Sequence, residues 1–146
     1  MCFEQATTRA EQKHDDYAAE LFTQCVFGDP GNAIYVQGLI TNLQKKHGDN
    51  RKVPPLARFR RWRHRNALNR ALRADDWHEV LKNGLAVLKI DPWNVPTLIA
   101  LAVASKASGF DECESYYLRC AAEASLKRRH IKRLSQSEKE RLRELR

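Results

Sequence analysis

Asp75-Asp76-Trp77-His78-Glu79 puts three carboxylates and an imidazole within five residues, the side chains that general acid–base catalysis uses. On a helix, successive positions point to different faces, so these groups do not converge on one reacting atom. Asp76 also stands where a helical run begins, and capping the first turn accounts for it. The sequence carries no Gly-rich phosphate loop, no HExxH and no GxSxG. Cys2, Cys25, Cys113 and Cys120 include no CxxC pair and no Cys/His cluster with zinc spacing. Cys113 and Cys120 would share one helix face without reaching disulfide contact, and free thiols of this kind pack as small apolar residues. The expectation is a protein that is not an enzyme, with no catalytic residue, no cofactor and no bound metal.

Arg58-Phe59-Arg60-Arg61-Trp62-Arg63-His64-Arg65 offers a different chemistry. Arg58, Arg60, Arg61, Arg63 and Arg65 could lie along phosphates while Trp62 stacks on a base. No helical period sorts all five arginines onto one face, so part of this charge must be exposed. An acidic protein partner would suit the same residues. So would a solvated helix, with Phe59, Trp62 and Leu68 packed inward and the arginines paired to the chain's own acidic segments. The net charge of +8 is unevenly placed: −3 over residues 1–50, +9 over 51–73, −4 over 74–126 and +6 over 127–146. Lys127-Arg128-Arg129-His130, with Lys132 and Arg133, either extends the basic footprint or keeps a terminal helix soluble.

These residues must be positioned by helices. Apolar residues recur at spacings of three and four, and no hairpin dipeptide separates alternating apolar runs. With 42% hydrophobic and 30% charged residues, the composition is that of one soluble folded domain. No apolar run approaches the roughly 20 residues that cross a bilayer, and the start lacks the regions of a signal peptide. A reducing cytoplasm, away from membranes, is the expected setting. The first helix spans 14–27, with Tyr17, Ala18, Leu21, Phe22 and Cys25 in one stripe, and Asp29-Pro30-Gly31-Asn32 ends it because proline lacks the amide a helix needs. Further helices follow over 33–46, 56–73, 77–90, 95–108 and 111–125, the last either stopping near Ser125 or running on into 126–134, since Ser125-Leu126 stands where an Asp-Pro stop would. Ser135-x-x-Glu138 suggests a capping box for a short last one.

Two endings match. Asp29-Pro30-x-Asn32 follows Ala18-x-x-x-Phe22-x-x-Cys25, and Asp91-Pro92-x-Asn94 follows Val80-x-x-x-Gly84-x-x-Val87 at the same offsets. Cys113-x-x-x-Tyr117-x-x-Cys120 keeps the spacing a third time. This pattern resembles the tetratricopeptide repeat (TPR) family, a helix-turn-helix unit of about 34 residues. Asp29-Pro30-Gly31-Asn32-x-Ile34-Tyr35-Val36-Gln37-Gly38 and Leu88-Lys89-x-x-Pro92-Trp93-Asn94-Val95 are similar to runs in planctomycete-type TPR-like proteins. In the family, the small and aromatic positions pack paired helices together, which the resemblance implies for Ala18, Phe22, Cys25, Pro30, Val80, Gly84, Val87, Pro92, Cys113, Tyr117 and Cys120. The chain departs from the pattern where its two prolines stand 62 residues apart rather than the roughly 68 of two full repeats. The unit opened by 33–46 would have lost its second helix to the basic linker.

The resemblance implies an all-α, TPR-like stack of about six to seven antiparallel helices. Residues 1–126 would form the repeat domain, with a basic linker and helix at 51–73, and 127–146 a basic C-terminal capping helix or tail. The implied function is a protein–protein interaction scaffold or adaptor that takes a peptide or helix of a protein partner in its concave groove. The alternative is an RNA- or nucleic-acid-associated adaptor working through the helix over 58–73. The Lys and Asn set of the family's peptide-carboxylate clamp is not found. The first helix pair lacks an upstream neighbour, so its stripe of Tyr17, Leu21 and Phe22 is expected to be only partly buried. That N-terminal end would form a homodimer or await a partner. Ile131, Leu134, Leu142 and Leu145 would anchor the tail on the third unit.

Overall fold

A computed structural model of the chain describes residues 2–11, 15–48 and 53–144, with side chains over 2–10, 16–48 and 53–127. Among the described residues every regular element is an α-helix: α1 (Cys2–Glu11), α2 (Asp15–Gly28), α3 (Ala33–His47), α4 (Pro55–Arg73), α5 (Trp77–Ile90), α6 (Val95–Ala107) and α7 (Asp111–Glu144). The molecule is an all-α helical stack, as its periodicity predicts. None of the described helices is long and apolar enough to cross a membrane.

Four of the described turns between helices follow two hydrogen-bonding patterns. At both Asp-Pro-x-Asn sites the aspartate amide closes the preceding helix, Asp29 on the Cys25 carbonyl at 3.0 Å and Asp91 on that of Val87 at 2.8 Å. The asparagine amide then donates back to the aspartate carbonyl, at 3.1 Å for Asn32 and 3.2 Å for Asn94. Each asparagine side chain caps the next helix, Asn32 accepting from the Ile34 amide and Asn94 from that of Thr97. After α4 and α6 the chain uses a Schellman stop instead. Asp76 donates to the Ala71 carbonyl at 3.0 Å and Phe110 to that of Ser105 at 2.8 Å. The residues before them, Asp75 and Gly109, take the left-handed conformation, with φ of 52° and 78°.

Two elements differ from the sequence expectation. α1 is a helix that periodicity did not assign. Its core-facing residues are few and mostly small, and Thr7 and Thr8 are poor helix formers, so tertiary contact rather than propensity holds it. Phe3 and Ala6 join the main core, where the Phe3 ring meets Phe22 edge-on at 5.7 Å and Tyr35 at 5.4 Å. Leu21 and Phe22 are consequently buried, and only Tyr17 of the supposed open stripe stays exposed, with Arg9 over its ring. The helix pair starting the stack does have an upstream neighbour. At the other end α7 runs unbroken to Glu144, because no proline or glycine interrupts it after Gly109. It therefore passes through Ser125-Leu126 and Ser135 without stopping. The anchors Ile131, Leu134, Leu142 and Leu145, and with them the docking of the tail, lie outside the described side chains.

Consecutive helices pack as α1–α2–α3 and α4–α5–α6–α7, and α3 lies against α5 and α7. The main core draws on every helix except α4, which contributes Leu68 and Ala71 to a smaller cluster with Val80, Ala100 and Ala104. Polar links tie the two halves. Lys89 of α5 pairs with Glu20 of α2 at 2.9 Å, and the His47 ring nitrogen stands 2.8 Å from the Lys89 carbonyl. Trp93 is buried, donates to the Gly48 carbonyl at 3.3 Å, and carries Lys127 over its ring at 3.9 Å. α3 is thus held by the turns and faces of α5 and α7, while the helix after it in sequence packs chiefly on α5.

Candidate functional site

The residues read as repeat packing sit at helix contacts. Ala18, Phe22 and Cys25 of α2, Val80 and Val87 of α5, and Cys113, Tyr117 and Cys120 of α7 are all buried. Gly84 is buried as well; where α2 and α7 place Phe22 and Tyr117, α5 has no side chain, and Leu101 of α6 fills the space. A Cβ on Gly84 would lie 2.7 Å from Leu101 Cδ2. Pro92 is buried and Pro30 half-buried at their turns, and the Cys113 thiol lies 3.5 Å from the Pro30 carbonyl. Burial pushes the thiols of Cys113 and Cys120 up, and that of Cys25, beside Cys2, to about 11. These are packing groups, poor as nucleophiles near neutral pH.

The acidic cluster at the start of α5 is dispersed among structural jobs. Asp76 caps the helix through the Glu79 amide at 3.3 Å, and Asn83 donates to the Glu79 carboxylate at the same distance. Asp75 points into solvent at its turn, and the exposed His78 ring faces Phe27 at 6.5 Å. Among the described residues no three His, Cys, Asp or Glu side chains gather as metal ligands would.

An apolar groove opens between α1 and α3. Phe3 and Phe22 form its floor with Gly38, where a Cβ would lie 2.7 Å from the Phe22 ring and 3.0 Å from that of Phe3. Only glycine lets the two rings lie this close to the α3 backbone. Ile34, 61% exposed, and Thr41 stand on the α3 wall, with Lys45 at one end. The open volume is about 400 Å³. Sequence reasoning missed this groove because it missed α1. The available signal was Phe3-x-x-Ala6-x-x-x-Ala10, apolar residues at three and four.

The arginine-rich helix presents the second surface. Phe59 and Trp62, read as packed inward in the solvated-helix alternative, point outward, and Leu68 alone of that trio is buried. They point outward because the inward arc of α4 is set by Leu68 and Ala71 against Val80 and the α6 alanines, which leaves positions 59 and 62 on the opposite side. Arg61 is half-buried and pairs with Asp91 at 3.3 Å. Arg58 donates to the Val53 carbonyl at 3.0 Å, Arg60 and Arg63 are exposed, and Arg65 is half-buried. No family model, curated protein or solved structure matches this chain.

Proposed function

We propose that the chain is a TPR-like interaction module whose α1–α3 groove takes a peptide or helix from a protein partner. Two features support the repeat. Among the described turns two hydrogen-bonding patterns are each used twice, and the left-handed residues Asp75 and Gly109 stand 34 positions apart, the length of one such unit. The groove carries the functional reading. It is apolar at its floor, polar at its rim, and open, the usual constitution of a peptide site.

The chemistry of the walls defines the occupant. An apolar anchor would bury against Phe3, Phe22 and Ile34, and an acidic neighbour would meet Lys45. This fits a partner segment pairing a large apolar residue with Asp or Glu. The protein acts as an adaptor rather than an enzyme, in a cytoplasmic setting. The test is selection from a random peptide library on the whole protein, followed by affinity measurement. Enriched peptides should share an apolar anchor beside an acidic residue, and Ile34→Asp should weaken them tenfold or more while leaving the melting temperature unchanged. Peptides that bind the variant equally well would remove the groove from the account. A dimer in light scattering that Ile34→Asp dissociates would make a second copy of the chain the occupant instead.

A further inference from the structure

The outward face of α4 is aromatic and cationic. Phe59 and Trp62 are 56% and 59% exposed, with ring centroids 6.0 Å apart and planes 28° apart, so they stack on each other in solvent. Further along the same face Trp62, Arg63, Asn66, Asn69, Arg70 and Arg73 line an open recess of about 490 Å³. Phe59 to Arg73 spans about 21 Å of helix. Residues 51–73 hold nine basic side chains and no acidic one. Among the described residues the only ion pair this helix makes is Arg61 to Asp91.

We propose that this face binds single-stranded nucleic acid, with Phe59 and Trp62 stacking on unpaired bases while Arg63, Arg70 and Arg73 contact phosphates. Charge complementarity selects a polyanion, and the rings select among polyanions. A strand with unpaired bases supplies planar faces for stacking and phosphates for the arginines at once. A duplex hides its base faces. An acidic peptide satisfies the arginines but gives the two rings nothing planar to lie on. Asn66 and Asn69, between rings and arginines, offer amides that match base edges. The site is independent of the α1–α3 groove.

The test is fluorescence anisotropy of the whole protein with a labelled single strand of deoxythymidine or uridine, about 12 nucleotides long, the scale of single-strand sites. Binding should weaken with salt at a log–log slope of about −2, since each phosphate contact contributes about −0.7. Trp62→Ala and Phe59→Ala should each cost about tenfold in affinity, within the range for losing one stacked base. Tryptophan quenching on binding should vanish with Trp62→Ala, because Trp77 is half-buried and Trp93 buried. Both rings lie outside the core, so the variants should keep the wild-type circular dichroism. Ile34→Asp should bind the strand as wild type does. Polyglutamate that competes equally would overturn the proposal in favour of an acidic protein surface, and a duplex that competes equally, or ring variants that bind unchanged, would overturn it in favour of a polyanion site without stacking. No binding at low salt would overturn it outright.

Discussion

Asp75 and Gly109 hold corresponding places in two Schellman turns, and only one of them is glycine. An aspartate at φ 52° carries a Cβ strain of about 1 kcal/mol, and its side chain, exposed to solvent, offers little in return. Asp75→Gly should therefore raise the melting temperature by a few degrees, and Gly109→Ala should lower it similarly. Thermal unfolding of the two variants checks this; a lower melting temperature for Asp75→Gly, or an unchanged one for Gly109→Ala, would mean the turns are not built alike. The buried thiols make a second residue-scale prediction. Their folded pKa values lie above those of the unfolded chain, where a thiol titrates near 8.5. The folded state thus holds its protons longer, and stability present below about pH 8.5 is lost as pH rises toward about 11, the value for Cys25. Burial raises Tyr116, to about 12, and Tyr117 in the same direction. A melting temperature that stays flat from pH 8 to 10.5 would contradict this. So would reaction of Cys25, Cys113 or Cys120 with a thiol reagent as fast as the half-exposed Cys2.

At the scale of elements, the helices legible in the sequence are those with strong stops. Asp-Pro-x-Asn after α2 and α5 could be placed because proline forbids continuation, and α4 opens on Pro55 behind Pro54, where a proline at the first helical position is tolerated. α1 was not legible, since a short stripe of Phe3 and alanines announces little until Phe22 and Tyr35 are set beside it. The end of α7 was read two ways, a stop near Ser125 or a run onward, because helix termination there depends on contacts rather than on a breaker. The positions on α2, α5 and α7 for which the resemblance implies packing are buried. The groove was not legible, because it belongs to two helices distant in sequence and one of them was unseen. The sequence leaves the direction of Trp62 open between stacking outward and packing inward, since a basic helix can bury either side until Leu68 and Ala71 find their partners. α1 carries an element-scale prediction. Deleting residues 2–11 uncovers Phe22 and Leu21 and takes the half-buried Phe3 and the buried Ala6 off the core, a loss worth about 3 kcal/mol in all. The truncated chain should melt about 10 °C lower or more. A truncated chain that melts unchanged would show that α1 does not pack as described.

The whole molecule combines a mildly acidic body with a basic helix on one flank, and α3 joins the halves by lying against both α5 and α7. Such an arrangement gives two surfaces with different chemistry, an apolar groove between α1 and α3 and a cationic aromatic face on α4. Stacked helices hold both in fixed relation because each buries its apolar side on its neighbours. The docking of a protein partner proposed for the α1–α3 groove is checked by backbone amide chemical-shift mapping, with a selected peptide titrated into labelled protein. Shifts should concentrate on Phe3, Thr7, Ile34, Gln37, Gly38 and Thr41, leaving the 59–73 face of α4 unmoved. Shifts confined to α4, or scattered over α6 and α7 with the groove residues silent, would contradict it.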